Sequence, residues 1–121
     1  MVGAGGGLGS MARYLVVLSL DKKLNAIFPF GTLTVNIAGS FILGFVLAIA
    51  LIKTDAQFYA WRLFLATGFC GGFTTFSAFA AENMSLFEQK FHGTALAYIG
   101  VSMIGGLLAV WLGFMLARAV L

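Results

Sequence analysis

The chain has 121 residues, of which 61% are hydrophobic and 9% charged, with a formal net charge of +3 and a mean hydropathy of +1.04. A soluble domain is about 45–50% apolar and about 25% charged, so these polar residues are too few to clothe a water-facing surface, and disorder, which needs the opposite balance, is excluded too. The single cysteine, Cys70, rules out an internal disulfide and a multi-thiolate metal site, and the small, scattered charge rules out a nucleic-acid partner.

Residues 1–121 read as one transmembrane domain, because a bilayer core of ~30 Å needs roughly 20 helical residues and the charges leave four such stretches. The first covers about 2–20 and is apolar except for Arg13. It lacks a basic run ahead of its apolar part, so it reads as a mature span and not a signal peptide. It is short for a span, which leaves room for missing or non-native N-terminal residues. A loop with Asp21, Lys22 and Lys23 follows, and Pro29 sits just before the second span, where it breaks no helix.

The second span, about 31–52, carries Thr32 and Asn36 four residues apart. A buried asparagine amide needs several partners, so Asn36 points to function more strongly than the hydroxyls do. Lys53 and Asp55 mark the next loop, and the third span covers about 63–86. After Glu88, Gln89 and Lys90, the fourth span runs over about 94–117, with Tyr98 and Ser102 again four apart. Such hydroxyls either bond across helices or donate to a dehydrated ion.

The third span is anomalous. Gly71-Gly72-Phe73-Thr74-Thr75 is poor helix sequence, since glycine costs ~1 kcal/mol relative to alanine and threonine is also disfavoured. Two readings are open. Either the helix breaks and its freed carbonyls line a cavity or bind a hard cation, or it continues and the glycines only pack. Phe76 and Phe79, three apart, share a helix face with Ser77 between them. Ring edges are positive, so the pair either faces lipid and core or offers its edges to an anion. Arg13 and Glu82 are ionisable groups within spans and candidates for function by default. No nucleophile–base pair, metal-ligand cluster or nucleotide-binding loop appears, so an enzyme is not expected.

Loop charge bears on topology. Lys53, Arg62 and Arg118 fall on one side of the membrane, and Lys22, Lys23 and Lys90 on the other. Orientation follows the Lys/Arg bias. Balanced loops favour insertion both ways, and hence an antiparallel homodimer, unless Arg13 or the N-terminal amine tips the balance. Small-xxx-small steps at Gly5/Gly9, Ser40/Gly44 and Gly105/Ala109/Gly113 suit close helix packing, within one chain or between two.

Three segments carry a family resemblance: Gly6-Gly7-Leu8-Gly9-Ser10-Met11-Ala12-Arg13-Tyr14, then Gly31-Thr32-Leu33-Thr34-Val35-Asn36-Ile37-Ala38-Gly39-Ser40-Phe41, then Gly68-Phe69-Cys70-Gly71-Gly72-Phe73-Thr74-Thr75-Phe76-Ser77. With Tyr98 and Ser102 added, the sequence resembles the Fluc (CrcB-type) fluoride channels over nearly its whole length. The resemblance implies an all-α integral membrane protein of the bacterial plasma membrane, with four transmembrane helices and the third broken in mid-membrane. It implies a dual-topology homodimer with two antiparallel pores for passive fluoride export. Carbonyls of Gly71 and Thr74 from both copies would hold a structural Na+. Phe76, Phe79, Asn36, Ser77, Thr32, Tyr98 and Ser102 would line the ion route, with Arg13 in the vestibule and Glu82 beyond the phenylalanine pair. This chain departs from the usual family pattern at Ala78, where one hydroxyl of the polar track is missing, and its N-terminus begins late for the family.

The alternative is a small proton-coupled multidrug-type exporter, which also has four spans. Such exporters carry an acidic residue in the first span, whereas this first span offers only Arg13.

Overall fold

A computed structural model describes residues 1–53 and 55–121, and Thr54 lies outside the described residues. Among the described residues all regular structure is helical. In chain order the elements are α1 (Val2–Leu24), α2 (Phe30–Ile52), α3 (Ala56–Arg62), a π-helical segment π1 (Leu63–Cys70), α4 (Gly71–Phe73), α5 (Phe76–Glu88) and α6 (His92–Val120).

Three stretches are long and apolar enough to cross a membrane: Phe30–Ile52, Ala56–Glu88 and His92–Val120. They contain the expected spans 31–52, 63–86 and 94–117. At ~1.5 Å per residue, α2 alone is about 35 Å long, enough for the hydrocarbon core.

Two loop boundaries differ from expectation: the loop expected over Glu88, Gln89 and Lys90 starts only at Gln89, because Glu88 closes α5, and the loop before α2 starts later than its charges suggest. Asp21, Lys22 and Lys23 form the last turn of α1 and not a loop. Two lysines there complement the negative end of the helix dipole. Asn25 then stops the helix in a left-handed conformation (φ 45°, ψ 45°), with its N–H bonded to the Asp21 carbonyl. Asparagine tolerates that region better than most side chains.

The helices pack in two pairs: α1 lies along π1 and α4, and α2 along α6, with α5 also resting on α6. Small residues set both contacts. A Cβ on Gly5 or Gly9 would run into the carbonyls of Phe64 and Phe69. A Cβ on Gly44 would meet the Val110 carbonyl, and one on Gly113 the Phe41 carbonyl. Each of these sequence steps therefore serves packing within the chain. Close backbone approach is how helices gain van der Waals contact where lipid removes the hydrophobic drive.

The best-buried side chains include Tyr98 and Val35. Tyr98 joins Leu86 and Ala95 in a cluster walled by Phe28, Leu33, Phe79 and Phe91. That cluster ties α5 to α6.

Candidate functional site

Between α4 and α5 the backbone is extended at Thr74 (φ −92°, ψ 155°) and at Thr75 (φ −152°, ψ 120°). In an unbroken helix each N–H closes on the carbonyl four residues back. Here those partners are exchanged one by one. The Thr75 amide, which would close on Gly71, donates instead to Asn36 Oδ1 at 2.9 Å. The Gly72 carbonyl, which would receive Phe76, accepts Arg13 Nε at 3.1 Å. The Ala78 amide, which would close on Thr74, donates to Thr75 Oγ1 at 3.2 Å. Thr75 is thus the N-cap of α5, a role its hydroxyl suits, and that hydroxyl also meets Ser77 Oγ at 3.1 Å. Cys70, by contrast, is doubly served: its carbonyl accepts the Thr74 amide at 2.9 Å and the Thr74 hydroxyl at 2.7 Å.

The exchange leaves the carbonyls of Gly71 and Thr74 without their helical donors. Both residues line a cavity of about 250 Å³ with Gly39, Ser40, Thr67 and Cys70. No neighbour lies within 4 Å of a Cβ built on Gly71, so its approach is open. Neutral oxygens freed in an apolar surrounding are suitable donors for a hard cation, and the expected Na+ ligands fit that chemistry.

Asn36 stands at the centre of the arrangement. Its Nδ2 also donates to the Thr75 carbonyl at 3.4 Å, so one amide side chain holds both backbone groups of one residue. Beside it opens a cavity of about 220 Å³ that includes Asn36, Ser40, Thr75, Phe76, Phe79 and Ser102 in its lining. The rings of Phe76 and Phe79 are 5.8 Å apart and tilted by 43°. Phe76 is 78% exposed on the single chain, and Phe79 is tucked against Tyr98, 4.9 Å between centroids.

The remaining sequence candidates divide. Ser102 joins the Asn36 cavity. Thr32 and Tyr98 are buried and are not part of its lining, and the Tyr98 hydroxyl and Ser102 Oγ have no hydrogen-bond partner among the described residues. Ser77 is exposed and bonded to Thr75. Glu82 lies in a separate cavity of about 360 Å³ with Asp21, Pro29, Ser85 and Gln89, not with the phenylalanines. Arg13 sits at the interruption, on Gly72.

Three residues near the site carried a readable signal. Ser40 follows Asn36 by four positions and Gly106 follows Ser102 by four, so both share the cavity-lining faces. Asn83 follows Phe79 by four; it is buried and its Nδ2 donates to the Phe79 carbonyl at 3.0 Å.

Known proteins match this chain along most of its length. A family profile described as "CrcB-like protein, Camphor Resistance (CrcB)" matches residues 1–114. A "Fluoride-specific ion channel FluC" of Chlorobium chlorochromatii is 49% identical over 118 residues, covering 98% of this chain and 90% of the relative. Its namesake in Rhizobium meliloti is 45% identical, covering 98% and 94%, and that of Legionella pneumophila strain Paris is 44% identical, covering 99% and 89%. With three candidate spans and these bacterial relatives, the chain is a multi-pass membrane protein. It belongs to the CrcB/FluC family of fluoride channels, and so to a family of ion channels and not of enzymes.

Proposed function

We propose that this protein is a fluoride-selective channel that exports fluoride passively across the bacterial plasma membrane and protects against its toxicity. In this reading α1 is a fourth span and the extended pair Thr74-Thr75 is a break in mid-membrane. Two copies assemble antiparallel, each contributing one pore. The observation that carries the reading is the cavity where Asn36, Phe76 and Phe79 meet beside that interruption. A polar amide next to an interrupted backbone is costly in lipid unless it lines a route or binds something. Phe76, largely exposed on one chain, acquires a partner surface when a second copy closes over it.

Fluoride is small and holds its water tightly, so a pore must replace that water with donors and positive edges. Asn36 supplies an amide N–H, Ser102 a hydroxyl, and Phe76 and Phe79 their ring edges. Tyr98, Thr32 and Ser77 continue the polar route, with Glu82 beyond it. Neutral donors bind weakly enough to let the ion leave, which conduction requires. The carbonyls of Gly71 and Thr74 would hold a structural Na+ shared by the two copies. When bound, that ion satisfies the freed oxygens and makes the nearby potential more favourable to an anion.

The test is fluoride-electrode efflux from liposomes holding the purified protein, with chloride as control. Fluoride efflux without chloride efflux is expected. Phe76→Ile should cut efflux sharply while the dimer stays assembled on a sizing column; unchanged efflux would remove Phe76 from the route.

A further inference from the structure

Arg13 reaches the backbone interruption directly. Its Nε–H bonds the Gly72 carbonyl at 3.1 Å, and the residue is half-buried. The backbone fixes it there. Gly9, one helical turn earlier on α1, lies against the Phe69 carbonyl and the Phe73 amide, and Gly72 itself lies against the Gly6 carbonyl and Ser10. Helices this close cannot slide, so the guanidinium is held over one peptide group of α4.

That peptide is the one between the carbonyl of Gly71 and those that follow it. None of the carbonyls of Gly71, Gly72, Phe73 and Thr74 keeps the amide four residues on as its donor, and among the described residues only Gly72 receives a side chain in exchange. Arg13 thereby withdraws one oxygen from a set of four, of which Gly71 and Thr74 line the cavity. It also places a fixed positive charge one peptide away from Gly71, in surroundings of low dielectric where such a charge is weakly screened. An incoming cation is repelled in proportion to its own charge. A divalent ion feels twice the repulsion of a monovalent one and finds no carboxylate to offset it, because Asp21 and Glu82 lie in a different cavity. Divalent sites built by proteins usually include such carboxylates.

We propose that Arg13 is a positioning residue for the carbonyl cation site: it leaves Gly71 and Thr74 as the open oxygens and keeps the site monovalent. The proposal rests on the cation site described under Proposed function.

The experiment is thermal unfolding of the purified full-length dimer in detergent, after exchange into a large organic cation, with Na+ alone or Ca2+ alone added back. A ligand that binds only the folded state raises Tm with its concentration. The native protein should respond to Na+ and not to equal Ca2+. Arg13→Gln keeps a donor for Gly72 but removes the charge, and should respond to Ca2+ at a concentration at least about tenfold lower than the native protein does. Arg13→Lys keeps the charge and should keep the native preference. An Arg13→Gln protein with the native Na+/Ca2+ ratio overturns the proposal. If Arg13→Gln does not assemble, an Arg13→Lys protein that responds equally to both ions overturns it. A native protein indifferent to every cation fails differently: it removes the carbonyl site itself.

Discussion

Asn36 serves Thr75 as a missing turn of helix would, accepting its amide at 2.9 Å and facing its carbonyl with Nδ2 at 3.4 Å. The side chain and the interruption therefore depend on each other. Thr75 cannot stay extended in an apolar surrounding without this partner, since a buried unpaired backbone group costs about 1–3 kcal/mol. Asn36 in turn is pinned in one orientation, with its other Nδ2 hydrogen free for the cavity. Asn36→Asp keeps the acceptor but sets a carboxylate oxygen against the Thr75 carbonyl. Fluoride efflux should fall at least about tenfold and the melting temperature should drop, both read on purified protein in parallel. Native efflux from this variant would separate Asn36 from the route.

Gly7 and Gly9 look alike in the sequence run Gly5-Gly6-Gly7-Leu8-Gly9, yet the fold sets them apart. A Cβ at Gly7 meets nothing within 4 Å, whereas one at Gly9 meets the Phe69 carbonyl and the Phe73 amide. Gly7→Ala should raise stability by about 0.5–1 kcal/mol through helix propensity. Gly9→Ala should lower it by about 1–3 kcal/mol, because backbone cannot yield as a side-chain tip can. Unfolding curves of the two variants check the contrast, and equal shifts would mean that α1 does not rest on π1 as described.

Much of the frame was legible because it follows from where charge is absent. The gaps between charged residues located the three long apolar stretches, and the run Gly71-Gly72-Phe73-Thr74-Thr75 marked the place where Thr74 and Thr75 turn extended. What stayed hidden depends on contacts between distant residues. No local signal says that Arg13 reaches Gly72, or that Glu82 lines a different cavity from Phe79 although it lies only three positions further on. The π-helical turns of Leu63–Cys70 are equally silent, since that apolar run reads as ordinary helix and nothing in it announces the close contact with α1. The loop assigned to Asp21-Lys22-Lys23 was misplaced because the decisive residue was the cap, Asn25, two positions beyond them.

Tyr98 allows stability and conduction to be separated. Its ring is wholly buried, between Phe28 at 5.4 Å and Phe79 at 4.9 Å, and its hydroxyl has no partner among the described residues. A hydroxyl retained for packing alone is unfavourable there, so Tyr98→Phe should leave the melting temperature unchanged or raise it, by up to about 1 kcal/mol in stability. If the hydroxyl serves the ion route, the same variant should lose several-fold in fluoride efflux. A loss of stability with native efflux would assign it to structure.

Loop charge makes the assembly testable without touching the site. If α1 crosses the membrane as proposed, Lys53, Arg62 and Arg118 balance Lys22, Lys23 and Lys90 across it, and orientation responds to Lys/Arg in short loops. Glu88, the last residue of α5, and Gln89, in the turn that follows, are both exposed, so Glu88→Lys with Gln89→Lys adds two positive charges to one side at little cost to folding. Asp55→Lys with Gln57→Lys, also exposed, adds two to the other. Each double variant should insert in one orientation and lose at least about tenfold in fluoride resistance when expressed alone, the size of change expected if only parallel copies are available to meet. Expressed together they supply both orientations, and resistance should return. Full resistance from either variant alone, at native expression, would mean that the working assembly is not antiparallel.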